Sequence, residues 1–276
     1  MSSLPVILVG FLLGMLHATD ADHVIAIGTI VSRQGSVRSA ATVGILWGLG
    51  HTLTVFLVGG AIILFSLVIP PRLGLAMEFT VALMLILLGV VTLRGVSLWV
   101  RQNLFPAPDG SFPGHSHAAT PSAHLHTHAH GDYVHLHVHG HAAEDHGHGT
   151  STPQAWLDRK LSGLSAYQRV RPLVIGVVHG MAGSAALALL ILAQIRDPLR
   201  GVLYLLLFGV GTIAGMMLIT SVIALPFAYS MKRFPHLNIW MRFSAGVLSL
   251  AFGLYLAYQI GFVNGLFTPN PQWTPG

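Results

Sequence analysis

Residues 14–27 read GMLHATDADHVIAI, and the fold turns on how that stretch is read. Apolar runs flank its polar middle, Leu4–Leu16 before it and Val24–Val31 after it. Together they make one hydrophobic segment long enough to cross a bilayer. The middle nevertheless carries His17, Asp20, Asp22 and His23. An aspartate at the centre of a spanning helix costs roughly 2.5–3.5 kcal/mol on insertion scales. A leucine recovers only about 0.3–0.6 kcal/mol. Crossing a membrane does not require that expense, so the cluster is expected to face a protein-lined cavity and bind something there. Two imidazoles interleaved with two carboxylates, and no thiol, form a donor set suited to a divalent transition metal.

Composition sets the class. Of 276 residues, 53% are hydrophobic and 8% charged, and mean hydropathy is +0.68. A soluble domain would carry about 25% charged residues, so the chain reads as an all-α polytopic membrane protein. Its net charge of +5 does not indicate nucleic acid, because Lys and Arg sit in short loops where they orient helices. With no cysteine, disulfides, thiolate metal sites and thiol catalysis are all excluded. The N-terminus, MSSLP, has no basic residue, and the apolar run continues past any cleavage point. It is expected to be a retained span, not a removed signal peptide.

Six apolar stretches follow, at about 4–31, 40–69, 75–99, 172–194, 199–226 and 240–264. Arg33, Arg38, Arg94, Arg101, Arg159, Lys160, Arg169, Arg171, Lys232, Arg233 and Arg242 fall on one side of the resulting topology, against Arg72, Arg196 and Arg200 on the other. That asymmetry predicts a cytoplasmic (inner) membrane protein with both termini outside. The halves also resemble each other. Gly14-Met15-Leu16-His17 matches Gly176-Val177-Val178-His179, and Leu46-Trp47-Gly48-Leu49-Gly50 matches Leu207-Phe208-Gly209-Val210-Gly211. Met77-Glu78-Phe79-Thr80 with Gly89 matches Met241-Arg242-Phe243-Ser244 with Gly253. The offsets are 162, 161 and 164 residues. Three spans per copy is an odd number, so the expected plan is two inverted three-helix repeats, 1–101 and 172–276, with a substrate site between them. Chance recurrence of small-residue patterns in Gly-rich helices is the bland reading. Glu78 and Arg242 occupy equivalent positions, as an ion pair or as separate residues at the water interface.

Residues 102–171 differ in composition. Twelve of the 17 histidines lie here: His115, His117, His124, His126, His128, His130, His135, His137, His139, His141, His146 and His148. Gly, Pro, Ser and Thr fill the gaps, so this cytoplasmic loop reads as largely disordered and metal-buffering. A dispensable low-complexity insert is the competing reading. Segment 154–170 is a candidate amphipathic helix at the inner surface.

In a regular helix His17, Asp20 and His23 would fall at about 0°, 300° and 240°, with Asp22 away from them at about 140°. Alternatively the TDAD stretch unwinds and lets all four converge. A buried polar network that only locks helices together is the structural alternative. His51, in GLGHTLTVF, and His179, in VVHGMAGSAALALL, either complete the coordination or act as single hydrogen-bonded histidines between helices. Gly180 and Gly183 are expected to allow tight packing around His179. Met15, Met181, Met216 and Met217 are read as packing residues.

HATDADH (His17–His23) resembles the H-x4-D-H signature of nickel/cobalt permeases, the NiCoT members of the wider NicO superfamily. GLGHT around His51 resembles that family's second histidine motif, and HGMAGSAAL (His179–Leu187) resembles a segment of its shorter, urease-accessory-like members. The resemblance implies transport of Ni²⁺ or Co²⁺ across the cytoplasmic membrane, with His17, Asp22 and His23 as essential ligands. Two departures matter. Longer family members place the signature in the second of eight spans, whereas this chain starts at it. The His-rich loop resembles efflux proteins of the superfamily, but their Pro-Gly-His motif is absent.

The expectation is therefore a secondary permease for nickel or cobalt, with His17, Asp20, Asp22, His23, His51 and His179 as metal ligands. Uptake is favoured. Efflux, or a non-transporting membrane metal-binding accessory role in nickel-enzyme maturation, is the alternative. No prosthetic group and no enzymatic activity are expected, since neither H-E-x-x-H nor a P-loop motif occurs. The expected partners are the bilayer, the ions and cytosolic nickel metallochaperones.

Overall fold

A computed structural model describes residues 3–32, 34–65, 69–104, 124–130, 133–139, 167–181 and 197–273. The N-terminal segment is two half-helices, α1 (Ser3–His17) and α2 (Ala21–Val31), followed by α3 (Val37–Phe65) and α4 (Pro71–Leu104). A hairpin of β1 (His124–His130) and β2 (Tyr133–His139) comes next, then α5 (Tyr167–Gly180), α6 (Pro198–Arg233) and α7 (Pro235–Tyr258). Four stretches are long and apolar enough to span a membrane: Val37–Ala61, Pro71–Ser97, Leu199–Met231 and His236–Val263. Leu53, Leu57, Leu83, Leu87, Leu206, Val222 and Leu254 are exposed on these helices. Helices with apolar outward faces as well as an apolar core belong in lipid, so this is a helical, multi-pass membrane protein.

Four of the six expected spans are thus continuous helices, and the first is split at residues 18–20. Of the fourth, 182–194 lies outside the described residues, with Gly183 and Ser184. Residues 154–166 of the candidate amphipathic segment also lie outside them, and 167–170 form the first turn of α5.

Within the His-rich tract, expected to be largely disordered, the described residues form these two strands. HLHTHAH alternates polar and apolar positions with period two, which is strand spacing. The strands pair antiparallel with His124 opposite His139, His126 opposite His137 and His128 opposite His135. His115, His117, His141, His146 and His148 lie outside the described residues.

Small residues set the helix packing. A Cβ on Gly14 of α1 would collide with the Phe208 carbonyl of α6, and one on Gly176 of α5 would collide with the Trp47 carbonyl of α3. Gly211 meets Phe11 in the same way, and Gly50 meets Leu173. Such backbone proximity is what small residues permit between membrane helices. The order of contacts also gives directions. Gly10 and Gly14 face Tyr204 and Phe208, so α1 and α6 run the same way; Gly176 and Gly180 face Trp47 and His51, so α5 follows α3. Gly44 faces Met217 while Gly48 faces Ile213, so α3 and α6 are antiparallel. It follows that α1 and α5 run in opposite directions.

Helices α4 and α7 form a second antiparallel pair. Gly253 abuts Ile86 and Gly89 abuts Leu250, and the Ser249 hydroxyl donates to the Leu85 carbonyl at 2.8 Å. This pairing places Glu78 and Arg242 at opposite ends, so they do not form an ion pair. Glu78 instead accepts from Trp273 Nε1 at 2.8 Å. The chain reaches that contact through a π turn (Gln259–Val263) and Gly265, whose φ of 84° suits glycine.

The packing makes a direct prediction. Gly14→Ala and Gly176→Ala should each lower the stability of the detergent-solubilised protein, by about 1–3 kcal/mol for overpacking. Gly28→Ala meets nothing within 4 Å and should leave thermal unfolding unchanged or later. Equal behaviour of all three would contradict the contacts described.

Candidate metal site

The signature stretch is unwound at its centre. Helix α1 ends at His17, and the chain turns through Ala18, Thr19 and Asp20 with short-range bonds from Thr19 N to Leu16 O (2.8 Å) and from Asp20 N to His17 O (3.1 Å). The Thr19 hydroxyl donates to the Leu16 carbonyl at 2.6 Å, a local bond that competes with helix continuation. Asp20, with ψ of 146°, then occupies the N-cap position of α2 without a side-chain capping bond. Aspartate favours that position and the first helical turn, where Asp22 sits, because both lie at the positive end of the helix dipole. His17 stands at the negative end of α1, which favours cations.

Unwinding brings Asp22 to the histidines it would otherwise face away from. His17 Nε2 lies 2.9 Å from His51 Nε2, and His17 Nδ1 lies 2.9 Å from Asp20 Oδ2. His23 Nδ1 is 3.0 Å from Asp22 Oδ1, and the other Asp22 oxygen is 2.9 Å from His179 Nε2. Two trios that could hold a metal ion result: His17, His23 and His51; and Asp22, His23 and His179. Within each, the donor atoms lie within 4.8 Å of one another. Five of the six expected ligands therefore enter a trio. Asp20 does not; its carboxylate lies against His17 Nδ1, on the far side of the ring from His51.

The burial is severe. His23, His51 and His179 are 0% exposed and His17 is 7% exposed. His23 Nε2, His51 Nδ1 and His179 Nδ1 have no hydrogen-bond partner among the described residues. An unpaired buried polar atom costs about 1–3 kcal/mol, and an imidazole lone pair can be satisfied by a cation. These side chains come from both half-helices, α3 and α5. Glycines enable the convergence: a Cβ at Gly180 would stand 2.6 Å from the His51 carbonyl oxygen.

Two aromatic walls were not among the sequence-derived site residues. Trp47 stacks on His23, with centroids 5.8 Å apart, and meets the edge of His179 at 5.3 Å. Phe208 packs against His17 at 5.5 Å. The available signal was the alignment of Trp47 with Phe208 in the matching halves. Met216 lies in the core, as its reading as a packing residue expects, and Met217 is partly exposed.

Comparison with known proteins agrees with this chemistry. The NicO family, described as high-affinity nickel-transport protein, matches residues 3–223. A urease accessory protein, UreH, from Bacillus sp. (strain TB-90) is 30% identical over 264 residues, covering 96% of this chain and 95% of that protein. No solved structure matches. The chain belongs to the NicO family of nickel-transport proteins, a family of membrane transporters and not of enzymes.

Proposed function

We propose that this protein is a secondary permease that carries Ni²⁺ or Co²⁺ into the cytoplasm through the buried cluster. One observation carries the reading: Asp22, His17, His23, His51 and His179, drawn from four helical segments, converge where lipid would otherwise penalise each of them. The carboxylate offsets the cation's charge, and the imidazoles favour a transition metal over Mg²⁺ or Ca²⁺. An inside-negative potential of about 100 mV favours entry of a dipositive ion by roughly 4.6 kcal/mol, so inward movement needs no pump.

The proposed architecture is six passes in the cytoplasmic membrane, built as two inverted three-helix repeats, with both termini outside and the His-rich loop inside. Its support is that close contacts recur in matched pairs. Gly14 on Phe208 corresponds to Gly176 on Trp47, and Gly89 on Leu250 corresponds to Gly253 on Ile86. His17 against Phe208 likewise corresponds to His179 against Trp47. The opposite directions of α1 and α5 fit inversion. In such transporters a broken helix lines the substrate site between the halves, which then rock to expose it alternately.

The similarity to a protein named as a urease accessory favours a supply role, with incoming nickel passed to cytosolic metallochaperones for a nickel enzyme. The loop histidines would buffer arriving ions. A non-transporting accessory would bind metal without flux, and an exporter would sensitise cells to metal when deleted.

Proteoliposomes loaded with a metal-sensitive dye separate the accessory from both transporters, and the deletion phenotype separates import from export. The wild-type protein should admit Ni²⁺ or Co²⁺, and His17→Ala should reduce the initial rate by at least the roughly 10–100-fold that loss of an outer-shell partner costs. Unchanged flux in His17→Ala would remove the site. Deleting residues 115–148 should lower flux only modestly at limiting metal, and complete loss would make the loop part of the pathway.

A further inference from the structure

The candidate ligands divide into the two trios, His17–His23–His51 and Asp22–His23–His179, which share only His23. We propose that the trios are successive ion positions, and that a divalent transition-metal ion passes from one to the other by exchanging partners around His23. This rests on the permease reading above.

Three observations carry it. The His51 and His179 rings are 6.3 Å apart, whereas each lies closer to His23, at 5.2 and 4.1 Å. His23 is thus the residue nearest to both rings and the one that the two trios share. Second, the trios differ in charge: one offers three imidazoles, the other a carboxylate with two. An ion moving between them trades one imidazole-rich shell for an anionic one without ever leaving His23. Third, exposure distinguishes the trios. The Asp22 side chain is 15% exposed, whereas that of His17 is 5% exposed and His23 and His51 are fully buried. The Asp22 trio is therefore the more accessible position and the His17 trio the more enclosed one. Two dipositive ions at this separation repel strongly, so a single ion occupies the pair. Transport also needs binding that is divided and releasable, which two three-ligand positions supply and one five-ligand cage does not.

The test uses the full chain in lipid nanodiscs, with Co²⁺ as the probe because its visible spectrum reports coordination. Difference spectra against His23→Asn remove the contribution of the His-rich loop. His51→Asn alters only one trio and His179→Asn only the other. One of these two variants, not both, should keep the wild-type spectrum and affinity, because the resting ion occupies one position. Both should lose at least about tenfold in Co²⁺ flux, because the ion must visit each. The wild-type protein should bind one more Co²⁺ per chain than His23→Asn. A changed spectrum in both variants would establish a single cage and overturn the proposal, as would two ions bound together at the cluster. His51→Gln and His179→Gln repeat the comparison if an asparagine variant fails to elute as a single species. Absence of flux in the wild-type protein would instead overturn the permease reading, and the spectra would still decide between one position and two.

Discussion

Polar groups in a hydrocarbon slab need partners that the slab cannot supply. That constraint organises the protein. Asp22 and the rings of His17, His23, His51 and His179 are held within reach of one another, so each offsets part of the others' desolvation. For this to happen, the first helix must break at Ala18–Asp20, and α3 and α5 must approach nearly to backbone contact. Gly176 and Gly180 sit one helical turn apart against Trp47 and His51, and they allow that approach. The packing, in this sense, exists to bring donors together.

The donors are incompletely satisfied among the described residues, and that is informative. A network built only for stability would pair its polar atoms, since half-satisfied networks are worse than apolar cores. Here His23 Nε2 lies buried and unpartnered at the centre of the cluster, beneath the Trp47 ring. The transiting cation of the proposed function would satisfy a nitrogen left bare at that depth. Carboxylates behind His17 and His23 fix the ring orientations, leaving the opposite nitrogens aimed inward.

Much of this was legible in the sequence, for a physical reason: polar residues inside an apolar run have no cheap explanation. The helical spans and the gathering of His17, Asp22, His23, His51 and His179 in one buried cluster follow from that contrast. The break at residues 18–20 was one of two readings left open, because a regular helix would already group His17, Asp20 and His23 and only the position of Asp22 distinguishes the two. Trp47 and Phe208 were missed as site walls because an aromatic in a membrane helix looks like any other packing residue. The hairpin was missed because the composition of the His-rich tract masked its period-two alternation. The contact between Glu78 and Trp273 joins residues 195 apart, and no local pattern announces it.

The central claim is that a dipositive ion is ligated by buried imidazoles and carboxylate within the membrane. Crystals grown with Ni²⁺, with data collected at the nickel absorption edge, would locate the ion. The account predicts an anomalous peak bonded to a His23 nitrogen and to the other two members of one trio, at about 2.0–2.2 Å. Peaks confined to residues 115–148, with none at His23, would contradict it.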